Sequence, residues 1–387
     1  MTAGDTAPPA AGPTPADGDD EGEEVAAQVD GGGRRPRRGR ERGRHAAGRA
    51  RLTRRGRAVL VLAGLVVVVV AGLAAWEEVE ANPSGGRGPA LVVDVRDGEP
   101  VDALLADLTR DGVIGSDLAF RLWAVVHGEP AVEPGRYYLH RNSSFGTVDA
   151  VLDAGPDVFD VQVAPGDTLA EIASELSSIP GKLAASFDAG ARSGSVSSPY
   201  QPSAGSSLEG LVGTGSYEVV PGETAHQLLE AMVARFDAEA AKAGLAPSTS
   251  VAGLGAYQIV TVASIAQKEG YFTRYFGDVA RVIYNRLADG MALDMTSTVL
   301  YSLGQDGGTV TPAEEADTTP YNTYLHTGLT PTPICAPSEA ALAAAVSPPA
   351  ATWLYFDLVT AKRGTMVFST TYTGQIAAEQ QAAANRS

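Results

Sequence analysis

Glu269 is the residue best placed to do chemistry. It closes the run Ala263-Ser264-Ile265-Ala266-Gln267-Lys268-Glu269. Tyr284-Asn285-Arg286-Leu287, Pro320-Tyr321-Asn322-Thr323-Tyr324 and Gly328-Leu329-Thr330-Pro331 come after it. A carboxyl pressed against apolar neighbours is held toward its protonated form, because desolvation penalises the charge. A carboxyl that keeps its proton near neutral pH is a general acid. The hydroxyl, amide and aromatic side chains downstream suit a sugar, which has apolar ring faces and a belt of hydroxyls. Together these residues could protonate a glycosidic oxygen. Spacing alone leaves a second reading open, in which Glu269 is a surface residue at a helix end and Gly270 is the helix stop.

The elements that must position Glu269 follow from periodicity. Tyr257 to Lys268 is expected to be helical, with Ile259, Val262, Ala263 and Ala266 at 3/4 spacing and Ile265 widening the stripe. Glu269 follows Ile265 by four and Ala266 by three, so it lies along the edge of that stripe. Lys268 is about 100° round the helix and need not neutralise it. A second helix is expected from Gly277 to Ala288, with Val279, Val282, Ile283 and Leu287 inward and Gly290 as a stop. Asn285 and Arg286 lie off its stripe. They either satisfy backbone groups and pair with Asp278 or Asp289, or Asn285 orients Glu269 or the sugar. Leu293 to Tyr301, which carries Asp294, Thr298 and Tyr301, and Pro320 to Tyr324 read as short polar strands or loops. Strands from Trp353 to Leu358 and from Thr365 to Ser369 precede a closing helix from about Thr373.

Upstream, a short pattern recurs. Val93-Asp94-Val95-Arg96-Asp97-Gly98, Val161-Gln162-Val163-Ala164-Pro165-Gly166 and Tyr217-Glu218-Val219-Val220-Pro221-Gly222 each precede an amphipathic helical run. Thr168 and Thr224 stand where N-caps belong, and Pro100 fits the first turn of the first helix. These strand–turn–helix units resemble LysM-like glycan-binding modules; ordinary α+β packing accounts for any single unit equally well. Ala191 to Ser207 reads as a Ser/Gly/Pro-rich loop.

The chain has 387 residues and a formal net charge of −17, unevenly spread. Residues 1–33 carry eight acids and no base, and residues 34–57 carry twelve arginines and one acid. Ala58 to Trp76 is a 19-residue uncharged run, about 28 Å long as a helix and close to the thickness of a bilayer core. It starts too late and runs too long for a cleaved signal peptide. Basic flanks stay in the cytoplasm, which puts the N-terminus inside and everything after Trp76 outside. The arginines are explained by that topology without nucleic acid. A lone cysteine, Cys335, forms no intrachain disulfide. Flanked by Pro333 and Pro337, it reads as a small buried residue and not as a nucleophile paired with His326. Five histidines without ligand spacing imply no metal, and no cofactor is called for.

The ordered motifs resemble the endolytic murein transglycosylase (YceG-like) family. They are Ala263-Ser264-Ile265 with Lys268-Glu269, Val279-Ala280, Asn285-Arg286-Leu287, Gly290-Met291, Thr298-Val299 with Tyr301, Tyr321-Asn322-Thr323-Tyr324, Gly328-Leu329, Pro333-Ile334 and Tyr355-Phe356. Leu208-Glu209-Gly210 with Tyr217 resembles the family's upstream segment. The resemblance covers about residues 90–385 and is most specific in the C-terminal third. It implies a lyase that cuts the β-1,4 bond between N-acetylmuramic acid and N-acetylglucosamine in glycan strands outside the membrane. The family's catalytic glutamate falls on Glu269. The implied substrate contacts are Asn285, Asp294, Thr298, Tyr301, Tyr321, Asn322, Thr323 and Tyr324, and the implied protein partners are peptidoglycan synthases. No paired acid is evident near Glu269, which is consistent with closure of a 1,6-anhydro ring rather than attack by water. The chain departs from the family pattern at Asp294 and Thr296-Ser297-Thr298, at Thr330-Pro331-Thr332, and at Met366, Gln375 and Tyr275. These departures motivate a second reading, a catalytically weak glycan-binding scaffold.

The expected architecture is α+β. A disordered cytoplasmic tail (1–57) leads to a transmembrane helix (58–76) and a linker (77–89). A LysM-like region (90–206) and a mixed α+β catalytic domain (207–387) follow.

Overall fold

The computed structural model describes residues 53–180, 183–202 and 207–386. Residues 1–52, the expected tail and most of the Arg-rich segment, lie outside the described residues, as do residues 203–206 of the Ser/Gly/Pro-rich loop. The chain divides into two compact units between Gly64 and Leu65. The described part of the first unit is dominated by the start of helix α1 (Arg54–Ala81). By length and composition α1 is apolar enough to cross a membrane, and its most apolar stretch is unburied. It outruns the expected 58–76 span at both ends, and no proline interrupts it between Trp76 and Pro83.

The second unit is a mixed α+β structure built from short antiparallel strand pairs. β1 (Ala90–Val95), α2 (Val101–Arg110), α3 (Asp117–His127) and β2 (Gly135–His140) form a strand–helix–helix–strand set. Ala90 stands opposite His140 and Val95 opposite Gly135. After α4 (Phe145–Ala154) the same order recurs as β3 (Phe159–Val163), α5 (Leu169–Leu176), α6 (Leu183–Ser193) and β4 (Gly215–Val219). Phe159 pairs with Val219 and Val163 with Gly215. α7 (Ala225–Lys242) follows.

The three sequence repeats fall on β1–α2, β3–α5 and β4–α7, but they do not stack as three like units. β4 pairs back on β3, and β1 pairs with β2, a strand the pattern did not predict. In β2 the inward residues Tyr137 and Leu139 are separated by the aromatic Tyr138, which masks the alternation. Thr168 and Thr224 both close capping boxes. Thr168 Oγ1 accepts the Glu171 N–H at 3.2 Å, and Glu171 Oε2 accepts the Thr168 N–H at 2.7 Å. Gln227 returns the same bonds to Thr224 at 3.3 and 3.0 Å. Pro100 is itself the N-cap of α2, one position before the expected one.

Two apolar clusters result. The first runs from Ala81 to Leu152 and includes Leu104, Leu108, Phe120, Tyr137 and Phe145. The second runs from Val161 to Met366. At the seam Arg136 of β2 pairs with Asp94, with Asp160 at 2.9 Å and with Glu218, which joins the two strand pairs through their polar faces.

The second cluster continues through a two-residue hairpin, β5 (Ser250–Val251) and β6 (Leu254–Gly255), into α8 (Ala256–Glu269) and α9 (Phe276–Ala288). Then come α10 (Thr296–Ser302), α11 (Pro312–Glu315), α12 (Glu339–Val346), β7 (Tyr355–Thr360), β8 (Thr365–Ser369) and α13 (Tyr372–Arg386). α8 is buried nearly all round from Ile259 to Ala266, not along one stripe. The alanine-rich α12 packs on it closely, and the buried hydroxyls of Thr261 and Ser264 return to helix carbonyls at 3.1 and 2.8 Å.

The Leu293–Tyr301 stretch corrects the expected strand or loop: most of it is α10. Asp294 adopts a left-handed φ of 48°, which ends the extended lead-in. Thr298 Oγ1 then donates to the Met295 carbonyl at 2.7 Å, and Val299 and Leu300 pack inward. The partial alternation belonged only to Leu293 and Met295. Pro320 to Tyr324 forms turns.

Candidate active site

Glu269 is the last residue of α8, and the inward helix face carries it to the edge of the core. It is half-buried. Gly270 is not a left-handed stop: its φ is −80°, and a Cβ there would stand 2.9 Å from the Ala266 carbonyl oxygen. Glu269 Oε1 accepts the Ser297 N–H at 3.1 Å. Burial pushes the Glu269 carboxyl above its usual range, and contact with the Ser297 hydroxyl and amide works against that. The Ser297 Oγ is buried without a partner in hydrogen-bonding geometry. Lys268 does not neutralise Glu269; its Nζ pairs with Asp306 at 2.6 Å.

Two cavities share Lys268, Glu269 and Thr296 in their walls. One, of about 730 Å³, is bounded by Thr168 and Glu171, by Arg192 and Glu209, and by Tyr301 and Tyr321. The other, of about 670 Å³, is bounded by Tyr271, Asp294, Tyr324, Tyr355 and Tyr372. The carboxyl therefore stands where two polar, aromatic-lined spaces meet. A polymer crossing both would present a middle linkage to Glu269.

Of the sequence-predicted residues, Asp294, Tyr301, Tyr321 and Tyr324 line these cavities with Glu269. Tyr301 and Tyr321 set their rings 4.9 Å apart. The Tyr324 hydroxyl meets Thr296 Oγ1 at 2.9 Å, and Asp294 pairs with Arg286 at 3.2 Å. Burial moves the Asp294 carboxyl upward, and Arg286 opposes it. The other four line neither cavity, and their side chains bond to protein groups. Asn285 donates to the carbonyls of Ala351 and Trp353 at 3.1 and 2.8 Å. Asn322, fully buried, donates to Glu315 and Asp317 carbonyls at 2.8 and 2.7 Å. Thr298 and Thr323 share a hydroxyl contact at 2.9 Å, and Thr323 Oγ1 also accepts the Met295 N–H at 3.0 Å. These bonds hold the segments on either side of α10, which brings Ser297 to Glu269. Arg286 likewise spends its guanidinium on the carbonyls of Leu354, Ala292 and Leu293 at 2.6, 3.2 and 2.7 Å.

The rest of the α8 motif is structural. Ser264 Oγ accepts the Ile334 N–H at 3.0 Å, and Gln267 Oε1 accepts from Ser338 Oγ at 2.6 Å. Cys335 is fully buried, its thiol donates to the Ser264 carbonyl at 3.3 Å, and burial pushes it up, away from a reactive thiolate. Ala336 locks to the β3–α5 turn through Asp167 and Gly166 at 2.7 and 2.9 Å. Gly210, at φ 73°, presses on the same segment; a Cβ there would collide with Pro333 and stand 3.0 Å from the Cys335 carbonyl oxygen.

Sequence reasoning found no second acid, but Glu209 reaches the larger cavity from far upstream. It is 4% exposed. It accepts the Leu169 N–H at 3.2 Å and the Tyr301 hydroxyl at 3.0 Å. Burial raises its carboxyl to about 7. The available signal was an acid flanked by apolar Leu208 and Leu211, which reads equally as a loop residue. Tyr271 and Tyr355 were also missed as wall residues. Among the described residues no cluster of His, Cys, Asp and Glu is placed to hold a metal ion.

Comparison with known proteins finds relatives of one family. An endolytic murein transglycosylase of Bacillus subtilis is 24% identical over 297 residues, 72% of this chain and 81% of that protein. One of Streptococcus pneumoniae serotype 2 is 26% identical over 300 residues, 69% of this chain and 54% of that protein, so the chain spans about half the pneumococcal relative. A crystal structure of a yceG-like protein from Listeria monocytogenes covers 74% of this chain and 98% of its own, at 23% identity and a TM-score of 0.49. The profile of the YceG-like family matches residues 93–381, which takes in both strand–helix–helix–strand sets from the middle of β1 onward, Glu209, Glu269 and every residue of the two cavity walls, and the chain therefore belongs to the YceG-like family.

Proposed function

We propose that the chain is a peptidoglycan lytic transglycosylase with Glu269 as its catalytic acid. The observation that carries this reading is a half-buried carboxyl, raised by desolvation, at the junction of two aromatic-lined cavities. Relatives named endolytic murein transglycosylases support it. Asp294, Tyr301, Tyr321 and Tyr324 would touch the glycan. Asn285, Thr298, Asn322 and Thr323 would hold the walls. Residues 90–206 would form a LysM-like glycan-binding region whose Thr168, Glu171 and Arg192 reach the cavity wall of a catalytic domain that begins near residue 207.

In the proposed reaction Glu269 gives its proton to the oxygen leaving C1 of N-acetylmuramic acid, which frees the 4-hydroxyl of N-acetylglucosamine. The carboxylate then takes the proton of the muramic C6 hydroxyl as that oxygen closes on C1. The product is a 1,6-anhydro end, no water is consumed, and Glu269 is restored to its acid form. α1 would anchor the enzyme with the N-terminus in the cytoplasm and the cavities on the outer face, where glycan strands are assembled alongside synthases.

Hydrolysis is the second reading, and Glu209 is the observation that favours it. A second carboxyl in the same cavity could hold a water, as two-carboxylate glycosidases do. Digestion of isolated cell walls with the full chain separates the readings. Anhydro-ended fragments that disappear in Glu269→Gln support the proposal. Reducing ends instead would establish hydrolysis. Glycan binding without any cleavage would select the scaffold.

A further inference from the structure

Helix α3 is apolar on nearly every side, although only part of it faces the core. Ala119, Phe120 and Ala124 are buried in the first cluster, and Trp123 packs against it. The opposite side carries Leu118, Leu122, Val125 and Val126, at 56, 40, 83 and 80% exposure. These four follow the i, i+4, i+7, i+8 spacing of a single helical stripe. A stripe of that kind on a short surface helix calls for an apolar cover.

The position of α3 says what covers it. Trp76 closes the uncharged run of α1, and both Trp76 and Ala81 belong to the same apolar cluster as Phe120 and Trp123. The Glu80 carboxyl lies against Gly115, directly before the N-cap Ser116 of α3. Glu80 is four residues past Trp76, about 6 Å further along the helix axis. The stripe therefore begins within a headgroup's depth of the point where the uncharged run ends. Val79, on the same last turn of α1, is also 67% exposed. Trp76 at the end of an apolar span is the residue type that settles at the membrane–water boundary. Arg121, beside the stripe, is paired with Asp102 at 2.8 Å and so leaves the stripe itself uncharged.

We propose that α3 lies on the outer surface of the bilayer, with Leu118, Leu122, Val125 and Val126 inserted among the lipid headgroups and upper acyl chains. The first strand–helix–helix–strand set is then a membrane-resting base and not a free module. This rests on α1 being the membrane helix proposed above. The occupant is the lipid surface, because α3 starts beside the last turns of α1, four residues past the end of its apolar run.

The test uses the full chain with Cys335→Ala, reconstituted into phosphatidylethanolamine/phosphatidylglycerol vesicles. An environment-sensitive fluorophore is placed singly at Val125→Cys, Val126→Cys, Val68→Cys or the exposed Ser177→Cys. Lipids carrying a shallow spin label should quench the probes at 125 and 126 and leave the probe at 177 bright. Aqueous iodide should do the reverse. Probes at 125 and 126 that behave like 177, with position 68 quenched by lipid labelled near its chain end, overturn the docking of α3 while leaving the anchor intact. A probe at 68 that such deeply labelled lipid does not quench overturns the anchor, and the docking with it. Cross-linking of Val125→Cys between two chains in the same vesicle would overturn the lipid assignment in favour of a second copy.

Discussion

The two strand–helix–helix–strand sets share an element order and differ in what surrounds them. The β1–β2 set closes its own cluster, with Leu108, Phe120 and Phe145 fully buried among its own helices and α4. The β3–β4 set has no separate core. Leu176, Phe187 and Leu211 join the cluster that contains α8 and α9, and the set supplies Thr168, Glu171 and Glu209 to the larger cavity. One set packs against the C-terminal end of α1. The other has become a wall of the site. A similar local pattern therefore carries no fixed role; the partner surface assigns it.

This contrast can be broken in order of effect. Glu269→Gln removes the acid at the junction and should reduce cleavage by about 10²–10⁴-fold, the usual contribution of a positioned general acid, with the thermal midpoint retained. Release of soluble fragments from isolated cell walls measures it. Paired core truncations sharpen the comparison. Leu152→Ala and Leu176→Ala each empty a fully buried site and should each cost about 2–5 kcal/mol in denaturant unfolding. Only Leu176→Ala should lower turnover by the folded fraction, because only that set borders the cavity.

Glu209 gives a pH test of the wall. Burial raises its carboxyl from 4.5 to about 7, so the folded state favours the protonated form. The stability this group contributes is fully present below about pH 4.5 and is lost as pH rises through about 7, a decline on the order of 3 kcal/mol. Glu209→Gln should flatten that slope in chemical denaturation at stepped pH. The smallest expected effect is at the caps. Thr168→Ala opens the box that starts α5 and should cost about 1 kcal/mol, as should Thr224→Ala at α7. Thr168→Ala alone should also raise the glycan concentration needed for half-maximal rate, since Thr168 lines the cavity and Thr224 does not.

Much of this was legible in the chain. The α8 and α9 helices, the capping threonines, the closing helix and the apolar run of α1 depend on local period and cap chemistry, which neighbours in sequence supply. The motif order marked Glu269 and the aromatic residues Tyr301, Tyr321 and Tyr324. Local pattern failed where a residue answers to distant partners. Leu293 to Tyr301 alternated in part, yet Thr323, across the fold, sets the turn that starts α10. Asn285 and Asn322 were expected to touch sugar; their amides also donate to carbonyls from other segments, bonds that the local sequence does not reveal.

The sequence by itself determined the family and the helices that carry Glu269, because helical period, caps and motif order are written in neighbouring residues. Only the tertiary structure decided that Glu209 shares a cavity wall with Glu269, that four of the polar motif residues serve the backbone, and that α3 presents an apolar stripe beside the end of α1. Each of these depends on which surfaces meet. Burial and desolvation, the forces that raise a carboxyl or demand a cover for a leucine, exist only once distant segments are packed together.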